Sequence, residues 1–320
     1  MTDAVAAQPL VFIMGPTGVG KSRIALELAA RLPIEIVSVD SALVYRGLDI
    51  GTAKPNPLER RAVRHHLVDI CDPAERYSAA QFRADARAAI GAVRARGRVP
   101  LLVGGTGLYF RALEHGLADL PDADPALRAT LAAELRRHGS AALHARLAAR
   151  DPAAARRIHP HDPQRIVRAL EVHALTGRAM SDLWGERSLA GLARAPLKLV
   201  IAPAVRSDLH AAIARRFDAM LARGLVNEVR ALCERPDLTP ASPALRTVGY
   251  REVWRYLHGE LDYEAMRERA IIATRQLAKR QFTWLRREQG ACWWEPDAPR
   301  LVGTLLRRIE ATLRFQTRPN

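Results

Sequence analysis

The first third of the chain alternates continuous apolar runs with stretches of helical periodicity. Residues 10–14, 34–40 and 99–104 are short runs rich in branched apolar side chains, which is typical of buried strands. Residues 22–31 and 79–96 place apolar side chains at helical spacing. Strand, helix and strand in this order imply right-handed crossovers. The pattern predicts an α/β fold in which helices flank a core sheet of parallel strands.

The pattern changes over residues 119–196. Strand signals disappear there, and helices rich in arginine and alanine follow one another. Asp124-Pro125 and Asp162-Pro163 each fit an N-cap with proline at the first helical position, and Gly139 and Gly177 fit helix ends. This segment is predicted to be an all-helical insertion domain.

Strand character returns after the insertion. Residues 197–201 form an apolar run that is expected to rejoin the sheet, and residues 291–294 form a last short strand before a terminal helix. Long helices are predicted over residues 207–223, 242–258 and 262–288. The catalytic core is therefore assigned to two segments, residues 1–118 and 197–320.

An octapeptide between the first strand and the first helix carries the most specific motif of the chain. It matches the pattern G-x-x-x-x-G-K-[ST] of a phosphate-binding loop, or P-loop, with the residues Gly15, Pro16, Thr17, Gly18, Val19, Gly20, Lys21 and Ser22. Such a loop wraps backbone N–H groups around a phosphate at a helix N-terminus. Lys21 is expected to reach the outer phosphate, and Ser22 to offer its hydroxyl to Mg²⁺. The motif predicts binding of a diphosphate or triphosphate without indicating which one.

Polar residues also follow the second and third strands. Asp40 could hold Mg²⁺ through a water molecule, act as a general base, or simply cap its loop. Gly104 and Gly105 allow the backbone to approach a ligand closely, and Thr106 supplies a hydroxyl. The third strand ends without a carboxylate, which disfavours a motor or switch ATPase. Because ligands of parallel sheets lie beyond the carboxyl ends of the strands, these residues are expected to meet the phosphate loop in one crevice.

The chain carries a formal net charge of +15, a strong excess for an enzyme of small molecules. A GC-rich genome would favour arginine over lysine, but it would not explain why acidic residues fail to balance the cations. The excess therefore favours binding of a polyanion such as nucleic acid. One cation on a predicted helix, Arg216, could clamp a diphosphate, although a solvated helix charge fits the sequence as well.

The last long helix of the core interleaves cations with aromatic residues. Arg275, Lys279 and Arg286 are expected to share one face, with Phe282 and Trp284 in the same segment. Such a surface suits a helix that follows an RNA or DNA backbone. A basic helix face that is merely solvated has the same pattern.

Other classes of protein are disfavoured by composition. No run of about 18 apolar residues occurs, so no membrane span is predicted. The first nine residues lack the basic and apolar regions of a signal peptide. Cys71, Cys233 and Cys292 lie far apart, which suggests reduced thiols rather than a disulfide or zinc framework. A cytoplasmic monomer is expected.

Several short motifs occur together along the chain. Besides the octapeptide, they are Ser-Val-Asp-Ser-Ala-Leu-Val-Tyr, Asp-Ile-Gly-Thr-Ala-Lys-Pro, Val-Gly-Gly-Thr-Gly-Leu-Tyr, Asp-Pro-Gln-Arg, Thr-Val-Gly-Tyr-Arg and Ala-Thr-Arg-Gln-Leu-Ala-Lys-Arg-Gln. Together these motifs resemble the tRNA dimethylallyltransferases, also called tRNA isopentenyl transferases, from about residue 10 to residue 294. The three cysteines do not have the spacing of the zinc finger that eukaryotic members carry, which points to a bacterial form.

The resemblance implies a prenyl transfer to tRNA. A dimethylallyl group would leave dimethylallyl diphosphate and join the exocyclic N6 amine of the adenine just 3′ of the anticodon. Lys21, Arg216 and Mg²⁺ bound to Ser22 would absorb the charge of the leaving diphosphate. Asp40 would accept the proton of the amine, and Thr106 would position the reactants by a hydrogen bond.

The resemblance also implies a tRNA surface, with the insertion holding the anticodon stem. The expected contacts are Asp40, Ser41, Ala42, Leu43, Thr106, Arg128, Gln164, Arg165, Ile166, Val167, Arg168, Arg246, Thr247, Val248, Gly249, Tyr250, Arg251, Lys279, Arg280, Gln281, Phe282, Thr283, Trp284, Leu285 and Arg286.

Two other functions share the same crevice. A small-molecule P-loop kinase would use the loop on ATP, but it would not need the basic helix or the arginine-rich insertion. A prenyltransferase of free adenine nucleotides would lack the RNA surface. A protein that only binds RNA would not need Lys21 and Asp40 at one sheet edge.

Overall fold

The computed structural model describes residues 9–118, 120–184 and 191–314. The chain divides into two units: a core unit, Met1–Glu114 with Ala193–Asn320, and a helical unit, His115–Leu192. Both ends of the helical unit lie four residues before the predicted bounds of the insertion.

The core unit contains a sheet in which every pair of neighbouring strands is parallel. Its strands are β1 (Val11–Met14), β2 (Ile34–Val39), β3 (His65–His66), β4 (Val99–Gly104), β5 (Leu197–Ile201) and β6 (Cys292–Trp294). Their order is β3-β2-β4-β1-β5-β6. The predicted parallel sheet is confirmed, and β3 was missed because two residues carry no strand pattern.

The helices of the core unit follow the strands along the chain. They are α1 (Lys21–Ala29), α2 (Pro57–Ala62), α3 (Ala79–Ala95), α4 (Gly107–His115, which ends one residue into the helical unit), α9 (Arg206–Ala222), α10 (Leu225–Cys233), α11 (Tyr250–Leu257), α12 (Tyr263–Leu285) and α13 (Leu301–Arg314). The helical unit contains α5 (Pro125–Arg150), α6 (Pro152–Arg157), α7 (Pro163–Thr176) and α8 (Met180–Leu183).

The central strands are buried on both faces. All four residues of β1 and all six of β2 are buried, as expected for a sheet covered by helices on both sides. Met14 lies beside Gly104 and Val200 in the register, and Val39 also lies beside Gly104. The carboxyl ends of β1, β2, β4 and β5 therefore meet at one edge of the sheet.

The helical unit has an apolar core of its own, built around Leu131, Leu147 and Ile166. The two predicted N-caps, Asp124 and Asp162, accept backbone N–H groups three residues on. The two predicted helix ends differ. Gly177 ends α7 at φ 69°, whereas Gly139 (φ 78°, ψ 169°) makes a kink from which α5 continues.

One predicted helix of the core is wrong. The segment expected to be helical over residues 242–258 is helical only in α11, and the preceding residues form turns. The Ser242 hydroxyl accepts the N–H of Thr239, and Gly249 has φ 92°, a backbone conformation that a helix excludes. None of the described helices is long and apolar enough to span a membrane.

Candidate active site

The phosphate loop runs directly from the end of β1 into α1. Gly18 and Gly20 have φ of 88° and 81°, which glycine adopts without strain. Gly15 is in contact with β5, since a Cβ there would lie 2.2 Å from the carbonyl oxygen of Ile201. No side chain caps α1 at Gly20, so its first-turn N–H groups can donate to an anion.

Lys21 begins α1 and folds back over the loop. Its Nζ donates a hydrogen bond to the Pro16 carbonyl at 2.7 Å. Burial lowers the pKa of Lys21 to about 8, against the attraction of Asp40, and the charge of Arg216 lowers it further. These three groups therefore share one electrostatic environment, in which the ammonium is costly without an added anion.

Arg216 on α9 reaches the same loop. One guanidinium nitrogen donates to Thr17 Oγ1 at 3.4 Å and the other to the Thr52 carbonyl at 3.4 Å. Burial lowers the pKa of Arg216, and Asp40 opposes this. Within the described part of the chain Arg216 has no carboxylate partner in an ion pair, so its charge can meet that of a ligand.

Asp40 and Thr106 lie together at the ends of β2 and β4. Asp40 Oδ1 accepts the N–H groups of Ala42 and Leu43 at 2.8 and 3.4 Å. The Thr106 hydroxyl oxygen accepts the N–H of Ser41 at 3.1 Å. Oδ2 of Asp40 accepts no hydrogen bond from the described residues, so one oxygen can receive a proton or face a cation. The predicted meeting of these residues at one sheet edge is confirmed.

A carboxylate that the sequence reasoning missed holds the loop after β2. Glu228 on α10 accepts the backbone N–H groups of Asp49, Ile50 and Gly51 at 3.1, 2.7 and 3.2 Å. The Tyr250 hydroxyl donates to the same carboxylate and accepts the Gly51 N–H at 3.1 Å. This clamp fixes the segment whose Thr52 carbonyl contacts Arg216. No local motif marks Glu228, because its partners lie far away in the sequence.

The basic helix is α12, and its faces differ in role. Lys279 and Arg280 on this helix, and Arg286 directly after its end, are exposed, as a surface for RNA requires. Trp284 instead turns inward, where its ring stacks on Phe110 with centroids 5.9 Å apart. Arg275 is half-buried and its Nε has no hydrogen-bond partner among the described residues.

In the helical unit, the predicted RNA-binding arginines hold a buried acid. Arg128 donates to both oxygens of Glu171, at 2.7 and 3.0 Å, and Arg168 donates to one of them at 2.6 Å. Glu171 is fully buried. Burial raises its pKa, but the two guanidinium groups more than offset this and the net pKa is lowered. Gln164 and Arg165 are exposed on the same helix, α7.

Three of the predicted tRNA contacts have buried side chains in this structure. Ile166, Tyr250 and Leu285 are at most 1% exposed, because they pack into the cores of their units. Gly249 is also buried, next to Tyr250. All of the expected tRNA contacts stay predictions, and at these four positions the residue is not accessible in the free protein. Those with exposed side chains are Ser41, Arg165, Gln164, Arg246, Arg251, Lys279, Arg280, Thr283 and Arg286.

The described residues include no metal site made only of acidic, histidine or cysteine side chains. Among the described residues, no group of three or more histidine, cysteine, aspartate or glutamate side chains could hold an ion. A cation at this sheet edge would have to share its ligands with a bound phosphate.

Comparisons with known proteins agree on one family. The family model described as IPP transferase matches residues 43–288. A tRNA dimethylallyltransferase of Alkalilimnicola ehrlichii is 61% identical over 296 residues, which cover 91% of this chain and 92% of the relative. The tRNA dimethylallyltransferase of Methylococcus capsulatus is 53% identical over 311 residues, or 97% of this chain and 100% of the relative.

Solved structures have the same fold. The full-length tRNA isopentenylpyrophosphate transferase from Bacillus halodurans matches with a TM-score of 0.71 at 36% identity, covering 97% of this chain and 98% of that one. A eukaryotic dimethylallyltransferase acting on tRNA matches with a TM-score of 0.79 at 26% identity, covering 98% of this chain and 81% of the other.

Proposed function

The chain belongs to the tRNA dimethylallyltransferase family, and we propose the reaction that its site performs. A dimethylallyl group moves from dimethylallyl diphosphate to the N6 amine of the adenine 3′ of a tRNA anticodon, and diphosphate is released. The observation that supports this most is one sheet edge that joins Lys21 and Arg216 to Asp40 and Thr106. Among the described residues, neither Lys21 nor Arg216 forms an ion pair with a carboxylate, and both lie near Asp40, which can accept a proton.

The phosphate loop and its two cations suit the leaving group. As the allylic C–O bond breaks, the electron pair goes to the diphosphate oxygen and negative charge grows there. Lys21, Arg216 and the N–H groups of the loop are fixed before the reaction, so they stabilise that charge with little reorganisation. Burial keeps water from screening the attraction.

Asp40 suits the acceptor side of the reaction. The adenine amine is a weak nucleophile, because its lone pair is delocalised into the ring. It forms a C–N bond to the allylic carbon and must lose a proton, which Asp40 Oδ2 accepts. Two backbone N–H groups hold Oδ1, so the carboxylate has a fixed orientation. Thr106 orders the neighbouring backbone at Ser41.

The residues present also fit Mg²⁺. The Ser22 hydroxyl and an Asp40 oxygen are hard ligands, and diphosphate oxygens and water would complete an octahedral set. Mg²⁺ held there would neutralise charge on the leaving diphosphate. Ser22 is exposed in the first turn of α1, so its hydroxyl is accessible to a ligand.

The exposed cations suit tRNA. Lys279 and Arg280 on α12, Arg286 directly after it and Arg246 before α11 would contact phosphates of the anticodon stem-loop. The helical unit adds Gln164 and Arg165, for which we propose contacts to the anticodon stem. The target adenine must leave its stack to reach Asp40, as in other enzymes that modify bases.

A label-transfer assay tests the reaction class. Purified protein is incubated with Mg²⁺ and tRNA, and with either labelled dimethylallyl diphosphate or labelled ATP. We expect label in tRNA only from dimethylallyl diphosphate, and a dimethylallyl group on N6 of adenosine by nucleoside mass spectrometry. Transfer of the γ-phosphate of ATP, or prenylation of free nucleotides but not tRNA, would contradict the proposal.

Variants in the same assay test the base and the metal. Asp40→Asn should lower the transfer rate by about 10²–10⁴-fold while tRNA affinity changes little. Chelation of Mg²⁺ should weaken diphosphate binding in the wild type. The same treatment should weaken it less in Ser22→Ala, because this variant has lost a ligand of the ion. Full activity of folded Asp40→Asn would remove Asp40 from the role of base.

A further inference from the structure

One side chain of α12 bonds to two loops of the active site. Gln281 Oε1 accepts the N–H of Thr17 in the phosphate loop at 2.8 Å. Gln281 Nε2 donates to the carbonyl of Gly105, the residue before Thr106, at 3.1 Å. The two partners precede Gln281 by 264 and 176 residues in the sequence. Only the tertiary structure brings the three segments together.

The packing around Gln281 leaves little freedom. A Cβ on Gly105 would lie 2.4 Å from Gln281 Nε2 and 3.1 Å from the Gly15 carbonyl oxygen, so the two loops are in direct contact. One helical turn on, a Cβ on Gly107 would lie 2.3 Å from the ring of Trp284. Residues three apart share a helix face, so α12 is seated on both loops through Gln281 and Trp284.

Each bonded loop carries one half of the proposed chemistry. Thr17 belongs to the loop that would hold the diphosphate, and its hydroxyl also contacts Arg216. Gly105 leads into Thr106, whose hydroxyl orders the backbone beside Asp40. The distance between these loops therefore sets the distance between the allylic carbon and the adenine amine.

We propose that Gln281 is a positioning residue that fixes the diphosphate loop relative to the Asp40–Thr106 pair. This rests on the proposed function. The family resemblance implied a tRNA contact for Gln281, whereas the geometry points to a role inside the crevice. Reactant misplacement of about 1 Å can lower the rate by about 10²-fold, so the loss should lie in kcat.

The test compares two glutamine variants of the same helix. Gln281→Met keeps the length of the side chain but neither hydrogen bond, and Gln276→Met makes the same change at an exposed position of α12. For Gln281→Met we expect kcat per diphosphate-binding site to fall about 10–100-fold, with KM for tRNA within about threefold of wild type. Gln276→Met should behave as wild type.

A second measurement separates positioning from general stability. If Gln281 acts through the Thr106 loop, its effect should shrink in a Thr106→Val background, and the double-mutant cycle should show a coupling of at least about threefold in kcat. Inorganic diphosphate serves as the binding probe, and its stoichiometry counts the folded sites.

Each outcome supports or overturns the positioning role of Gln281. A rise in KM for tRNA at unchanged kcat would return Gln281 to the RNA surface. Additive effects of Gln281→Met and Thr106→Val, or wild-type kcat per site, would overturn the positioning role. If wild type and Gln276→Met both fail to prenylate tRNA, the proposed function fails instead.

Discussion

Arg216 in the core unit and Arg128 in the helical unit are both half-buried arginines on helices, but their surroundings are opposite. Among the described residues, the Arg216 guanidinium donates hydrogen bonds to a hydroxyl and a carbonyl, each at 3.4 Å, and to no carboxylate. Arg128 makes a two-pronged ion pair with Glu171, a carboxylate that is fully buried. Among the described residues, the Arg216 guanidinium has no carboxylate partner, whereas the Arg128 guanidinium is neutralised by a carboxylate inside the fold.

The difference shows how to separate a binding arginine from a structural one. Burial disfavours the charge of Arg216, so an anionic ligand would relieve a cost that the folded protein already bears. Burial likewise disfavours the charge of Glu171, but there the protein supplies its own cations. The family resemblance implied a ligand contact for both arginines, and a cation on a helix has the same sequence pattern in either role.

The largest effect is expected at Arg216. Arg216→Gln should lower kcat/KM for prenyl transfer by about 10²–10³-fold, because the growing charge on the diphosphate loses a fixed cation. Stability should not fall, since no carboxylate loses its partner. Arg215→Gln, an exposed neighbour, is the matched control. Equal kcat/KM values in Arg216→Gln and Arg215→Gln would show that Arg216 does not bind the diphosphate.

The reverse pattern is expected at Arg128. Arg128→Gln should lower the free energy of unfolding by about 1–3 kcal/mol, a reduced value for a broken buried pair because Arg168 still bonds Glu171. Denaturant unfolding measures this, with exposed Arg137→Gln on the same helix as control. A stable Arg128→Gln protein with weakened tRNA binding would restore Arg128 to the RNA surface.

A smaller effect is expected from pH. With a pKa of about 8, Lys21 of the free enzyme loses its charge as pH rises through that value, so kcat/KM should fall about tenfold per pH unit above it. A bound diphosphate stabilises the Lys21 ammonium and raises its pKa. The alkaline fall of kcat, which reports the enzyme with substrate bound, should therefore occur at higher pH than the fall of kcat/KM. In Lys21→Arg the alkaline limb should disappear, because arginine stays charged. Lys279→Arg should leave the profile as in wild type, and an unchanged limb in Lys21→Arg would assign it to another group.

The smallest effect is expected at the basic helix. Replacing Lys279 and Arg280 together by glutamine should flatten the log–log salt dependence of tRNA binding by about one to two units, roughly one per lost phosphate contact. Arg307→Gln with Arg308→Gln removes the same charge from exposed positions on α13. Equal slopes for the two double variants would place the RNA surface elsewhere. Diphosphate affinity should stay unchanged in both.

The helix prediction over residues 242–258 failed for a physical reason. Its apolar spacing continues across Gly249, but the φ of 92° at Gly249 prevents a helix from continuing through this residue. The apolar residues before it, such as Ala244 and Leu245, lie in a turn and are nevertheless buried. Burial alone therefore produced a helical pattern without a helix.

The sequence by itself determined the parallel sheet, the phosphate loop and the meeting of Asp40 with Thr106. Strand runs and turn residues are local, and parallel strands bring their carboxyl ends to one edge whatever the side chains do. Only the tertiary structure decided which side chains reach across that edge. Glu228 holds Ile50, and Gln281 bridges Thr17 to Gly105, over 176 or more residues of chain. Such contacts depend on how helices pack on the sheet, which no local spacing encodes.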